Sequence, residues 1–146
     1  MATESIEISR SPEEVFSYAT DFAHFSRWQG NVVSVRPDGQ SPPRTGSTAI
    51  ITRRVGPRQV QATETITELT APSTWEVRSS GGIPVTAIAR GRVERLGGGT
   101  RSRVTITLEF EGHGIGKLLI PLVIRQARRQ LPQNTKWLKK ALEQSA

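Results

Sequence analysis

The 146-residue sequence has no cysteine, two histidines, one tyrosine and one methionine, and these scarcities exclude whole classes of chemistry. Without cysteine there is no thiolate nucleophile, no disulfide framework and no iron–sulfur ligation. His24 and His113 are too few to build a Cys/His zinc site, so neither metal nor cofactor is expected. No apolar run approaches the roughly 18 residues of a membrane-crossing helix. Met1-Ala2-Thr3-Glu4-Ser5 lacks the basic and then apolar pattern of an export signal. The expectation is an unexported, cytoplasmic protein.

Acid is scarce as well. Thirteen Asp and Glu face twenty Lys and Arg, a net charge of +7, which makes an acidic partner or anionic membrane worth testing. From His113 onward Lys117, Arg125, Arg128, Arg129, Lys136, Lys139 and Lys140 stand against Glu143 alone, so nearly all the net charge lies in that last segment. A chain this long buries about 70% of its unfolded surface as one domain, and residues 1–146 are read as a single unit.

What is present is regular. Ser5-Ile6-Glu7-Ile8-Ser9 alternates with the period of a half-buried strand. Ser11-Pro12-Glu13-Glu14 follows as a helix start, with a hydroxyl cap, proline in the first turn and acids at the positive end of the dipole. Val15, Phe16 and Ala19 give that helix an apolar face, and Asp21 can cap a second short helix through Phe22, Phe25 and Trp28. Six strands are then predicted: Val32 to Val35, Ser47 to Val55, Gln59 to Leu69, Thr74 to Ser79, Pro84 to Leu96 and Arg101 to Phe110, each ended by turn residues. Their short connections favour an antiparallel meander, because parallel neighbours need long crossovers.

The segment from Ile115 to about Gln144 has a helical period. Ile120, Val123, Ile124, Ala127, Leu131, Leu138, Ala141 and Leu142 share one arc, and the seven basic residues occupy another. Pro121 falls near the helix start, whereas Pro132 is expected to kink the helix or break one turn. Gly112-His113-Gly114-Ile115-Gly116-Lys117 fits no nucleotide loop: Lys117 stands where a dinucleotide fingerprint needs glycine, and Glu111 and Leu118 spoil the P-loop. These glycines read as a flexible bend able to gate a cavity, and His113 as a solvated loop residue.

This α+β order, with Ile8-Ser9-Arg10-Ser11-Pro12-Glu13-Glu14-Val15-Phe16, Asp21-Phe22, Phe25-Ser26-Arg27-Trp28, Gly98-Gly99-Thr100-Arg101, Gly114-Ile115-Gly116-Lys117-Leu118-Leu119, Pro121-Leu122 and Leu138-Lys139-Lys140, resembles the START-like (SRPBCC) superfamily and its polyketide cyclase/dehydrase-like group. The resemblance implies a helix-grip fold, a curved antiparallel seven-stranded sheet wrapped around a long C-terminal helix. It also implies a hydrophobic cavity between them. Members bind lipids, sterols, plant metabolites or polyketide intermediates, and some catalyse cyclisation and dehydration. Fold alone does not choose among these.

Alternation nominates the cavity wall. Ile106, Leu108 and Phe110 share a face with Val104, and Val85, Ala87, Ala89, Gly91 and Val93 share another whose small members leave room. Trp75 and Val77 form a third. Leu119, Val123 and Ala127 of the helix, and Trp28 with Tyr18 and His24 of the short helices, complete the candidates, although such aromatics more often pin helices to a sheet. Arg53 shares parity with Ile51, and Glu64 with Ala62. If both face inward, a Glu64–Arg53 pair is required, since a lone buried charge is very costly. A surface pair or a register-reversing bulge is the plainer reading, and it is preferred here because strand ends cannot be placed residue by residue from sequence.

Three functions fit: binding of an apolar or aromatic small molecule such as a lipid or polyketide-like metabolite; cyclisation or dehydration of a polyketide with Glu64, Arg53 and Tyr18 as acid, base or oxyanion stabiliser; and docking to an acidic partner or anionic membrane through the basic helix face. That face is most simply solvated. Nucleic acid is disfavoured, because no base-reading module is present.

Overall fold

Residues that alternate with period two from the first strand to the last pair into one antiparallel sheet. A computed structural model describes residues 1–39 and 42–144. Its strands are β1 (Ala2–Ile8), β2 (Val32–Asp38), β3 (Thr48–Val55), β4 (Arg58–Thr70), β5 (Thr74–Ser80), β6 (Val85–Leu96) and β7 (Arg101–Gly112). Each strand read from the sequence is present, with ends moved by a few residues. The spatial order is β1-β7-β6-β5-β4-β3-β2, a meander whose first strand returns beside the last. Register shifts between Val32 and Ser34 and between Ile66 and Glu68 bend the sheet at β2 and β4.

The predicted capping residues start helix α1 (Pro12–Ala19). Ser11 Oγ accepts the Glu14 N–H at 3.2 Å and its hydroxyl donates to the Glu14 carboxylate at 3.1 Å. Asp21 accepts the Ala23 N–H at 3.0 Å and caps a 3₁₀ turn, Phe22–His24, that runs into the four-residue α2 (Phe25–Trp28). Phe22, Phe25 and Trp28 are all buried.

The terminal helix departs from expectation at its start. Residues Gly114–Leu119 are 3₁₀, and α3 runs Ile120–Gln144, about 37 Å at 1.5 Å per residue. Pro121 has no N–H for the Lys117 carbonyl, so an α-helical ladder cannot run on unbroken from Ile115, while proline is well suited to a first turn. Pro132, by contrast, breaks no turn: α3 continues through it, and the Thr135 hydroxyl donates to its carbonyl at 2.9 Å.

The Gly112–Gly116 bend is also tighter than expected. A Cβ at Gly116 would collide with the Pro84 carbonyl, and one at Gly112 would lie 2.7 Å from the Lys117 backbone nitrogen. Glycine is therefore needed there for close backbone approach, not for looseness. His113 is exposed and meets the Thr86 hydroxyl at 2.9 Å.

Leu131, Leu138 and Leu142 of α3 are buried, while Arg125, Arg128, Arg129, Lys136 and Lys140 are exposed. Lys139 leaves the basic arc, donating to the Glu7 carbonyl and to Glu143, both at 2.8 Å. At the helix approach Ile115, Leu118 and Leu122 are 76%, 82% and 61% exposed. Among the described residues no helix is long and apolar enough to cross a membrane.

Candidate ligand cavity

Burial falls off along the inner face of each central strand. In β7 Val104 and Ile106 are buried, whereas Leu108 and Phe110 on the same face are only partly so. In β6 Gly91 and Val93 are buried, Ala87 and Ala89 are not, and Val85 at the far end is buried again; in β4 Glu64 and Ile66 are buried and Val60 and Ala62 are not. The buried ends join one core with Phe16, Trp75, Leu138 and Leu142. The other ends border a cavity of about 210 Å³ closed by the first half of α3.

Most of the residues nominated from sequence line this space. From the sheet come Ile51, Arg53, Ala62, Glu64, Trp75, Val77, Ala87, Ala89, Ile106, Leu108 and Phe110; Trp28, Val123 and Ala127 come from the helices. Leu119 does not; it ends the 3₁₀ segment ahead of the helix that forms the wall. Tyr18 is absent from the lining too. Its ring stacks on His24 at 4.1 Å, and its carbonyl lies 3.1 Å from His24 Nδ1, so the two pin one short helix to the next. Gly91 also differs from expectation. A Cβ there would lie inside the Trp75 indole, so the space it leaves holds that ring and not a ligand.

Arg53 and Glu64 both face inward, so the surface reading is overturned. The register puts Glu64 opposite Ala49 and Arg53 opposite Val60, with the Ile51–Ala62 pair between. The arginine therefore reaches along the inner face past the small Ala62. Its Nε and Nη2 donate to the two carboxylate oxygens at 2.9 and 3.1 Å, and its Nη1 donates to Asn31 Oδ1 at 3.0 Å. Planar, two-pronged pairing suits guanidinium and is the strong form of such a contact. Glu64, 7% exposed, is buried only because it is paired.

A polar flank was missed. Gln29 and Asn31, with Gln126, Gln130 and Asn134 of α3, also line the cavity. Asn134 Oδ1 accepts from the Gly30 N–H at 3.0 Å and from Gln130 Nε2 at 2.9 Å. The spacing of four residues was a visible signal, since it sets Asn134 in the middle of the apolar arc of α3. The nearby Trp28 Nε1–H is buried without an acceptor among the described residues. Leaving such a donor unsatisfied costs about 1–3 kcal/mol. Among the described residues no group of three or more His, Asp or Glu is placed to hold a metal ion.

The fold has counterparts. The START superfamily protein of Mycobacterium smegmatis superposes with a TM-score of 0.79 at 16% identity, over 98% of this chain and 97% of that one. The Zhui aromatase/cyclase of Streptomyces sp. R1128 does so with 0.82 at 10% identity, over 97% and 92%. A conserved protein from Geobacillus kaustophilus gives 0.77 at 18%, over 98% and 95%. At these identities the likeness is one of fold, a helix-grip α+β fold. No curated protein matches the sequence. The model of one family, polyketide cyclase/dehydrase and lipid transport, matches residues 2–143. The chain accordingly belongs to that family.

Proposed function

We propose that this protein binds an apolar or aromatic small molecule, a lipid or polyketide-like metabolite, between the sheet and the first half of α3. One observation carries the reading: where the core would otherwise fill, the wall is Ala62, Ala87 and Ala89, and about 210 Å³ is left open. A void lined by carbon forfeits dispersion contacts that a ligand restores. Its size lies below the 300–1,000 Å³ of sites for drug-sized ligands, so it suits a compact ring system or one portion of a longer molecule. Trp28 Nε1 and the Gln126 amide, neither hydrogen-bonded through its side chain among the described residues, are polar groups that would orient it.

The test is mass spectrometry of whatever copurifies with the native protein, repeated on an Ala87→Leu/Ala89→Leu variant. The filled variant is expected to keep its fold and lose the ligand. A ligand retained at full occupancy would show that it sits elsewhere.

A second reading, turnover of a polyketide-like substrate, is favoured by the Arg53–Glu64 pair on the cavity wall. Arg53 would stabilise an enolate oxygen and Glu64 would move the proton. Tyr18 has no part in it. On a confirmed substrate Glu64→Gln should then abolish turnover while sparing binding; unchanged turnover removes the role.

A further inference from the structure

Outside the cavity mouth, a second cleft is lined by Arg54 of β3, Arg125 and Arg129 of α3, and the backbone at Gly30 and Gly56. Most arginines of the sheet have carboxylate partners: Arg90 holds Glu76 and Glu109, Arg95 holds Glu13, and Arg101 and Arg103 share Glu7. The three of the cleft have none among the described residues, and none donates a side-chain hydrogen bond there. Three unpaired guanidiniums around one cleft repel one another and are stabilised by any anion that enters.

The cleft adjoins the cavity. Asn31, Gln126 and Gln130 line both. Asn31 also fixes the junction, its carbonyl accepting the Arg54 N–H at 2.7 Å and its side chain holding Arg53 at 3.0 Å. Only these amide side chains stand between the two spaces, so a molecule too long for about 210 Å³ would reach the cationic cleft by passing between them.

We infer that the ligand is an anionic amphiphile, with its apolar body in the cavity and a phosphate or carboxylate head in the cleft of Arg54, Arg125 and Arg129. This rests on the cavity reading above and adds the chemical class of the ligand. Guanidinium is suited to both heads because its planar fork matches two oxygens at once.

The test compares decanol, decyl phosphate below its micelle concentration and inorganic phosphate, read by quenching of Trp28 and Trp75 and by calorimetry. Wild type is expected to bind decyl phosphate about tenfold or more tightly than decanol, the ratio of one charge-assisted hydrogen bond, and the ratio should shrink with salt. Arg125→Gln/Arg129→Gln, both at exposed positions, should bring decyl phosphate down to the level of decanol and leave decanol itself unchanged. Equal affinities in wild type, or a preference that survives the double substitution, overturns the head-group site while leaving the cavity standing. Decanol that does not bind overturns the cavity reading and this inference with it. Inorganic phosphate binding as tightly as decyl phosphate would mean an isolated anion site. Binding only to phosphatidylserine vesicles, never to the monomeric amphiphile, would mean a membrane-docking surface; either result overturns the inference.

Discussion

Along β7, Val104 is fully buried and Ile106 nearly so, yet Leu108 and Phe110, on the same face a few residues on, are half open. The contrast extends across the sheet. One half of the inner face meets Phe16, Trp75, Leu138 and Leu142 and is packed; the other meets the first half of α3 and is hollow. Both halves contain aliphatic and aromatic side chains, and the hollow one adds Arg53, Glu64 and an amide flank; apolar residue type alone does not divide them. Volume does: Trp75 fills the packed side because Gly91 yields to its ring, whereas Ala62, Ala87 and Ala89 face nothing large enough to replace what they lack.

The largest expected effect tests this division directly. Leu138→Ala removes a side chain with no exposed surface and should cost about 2–5 kcal/mol. Leu108→Ala only widens an existing cavity and should cost about 1 kcal/mol, by loss of transfer energy alone. Urea denaturation of the two variants measures both, and equal costs would erase the distinction between the halves. Next comes the charge pair of the hollow side. Arg53→Met strands Glu64 in an apolar wall and should cost about 3 kcal/mol, whereas Arg53→Met/Glu64→Leu should recover most of the loss. A double variant no more stable than the single one would mean that the pair is not what makes Glu64 tolerable there. Gly91→Ala sharpens the packed side: displacing the Trp75 indole should cost about 1–3 kcal/mol and push the ring toward the cavity, weakening ligand binding as well.

The smallest effect lies on the outer face, where ion pairs are solvated. Glu76 accepts from the Thr67 hydroxyl at 2.7 Å, Arg78 at 3.0 Å and Arg90 at 2.8 Å. That set, led by the hydroxyl, pulls its carboxyl from 4.5 to about 2. A carboxyl with a lowered pKa in the folded state binds fewer protons than in the unfolded chain. Its stabilisation is therefore complete above about pH 4.5 and lost as pH falls toward 2. Glu76→Gln should lower the melting temperature at neutral pH, where the lost stabilisation is complete, and flatten its pH dependence below about pH 4.5; an unaltered acid slope would assign the effect to other carboxylates. The same side chains explain why Ile88, on the outer face with Thr86 and Arg90, is nonetheless buried: it lies between Arg78 and Glu109 in the register, and long charged chains cover apolar surface with their stems.

Strand order, both helix caps and most of the cavity wall were legible because each depends on local pattern. Period-two alternation selects a face, and Ser11 and Asp21 announce helix starts wherever they stand. The failures share a different cause. Leu119 was counted with the apolar start of one helix running from Ile115, but Gly114–Leu119 is a separate 3₁₀ segment. Tyr18, named as a candidate beside the plainer reading that such aromatics pin helices, follows the plainer one, stacked on His24. The glycines at 91, 112 and 116 look like freedom in the sequence and are contacts in the fold, because what a missing Cβ makes room for belongs to a distant segment.

By itself, then, the sequence determined the element order, the inward face of each strand and the two-sided character of α3, all consequences of chemistry between near neighbours. It also raised the possibility that Arg53 and Glu64 pair. Only the tertiary structure decided that they do, that Asn31 completes the contact and that Gln126, Gln130 and Asn134 carry a polar flank from the cavity to an arginine cleft. Whether a face encloses space or is filled depends on the volumes that meet across it, and those volumes come from residues far apart in the chain.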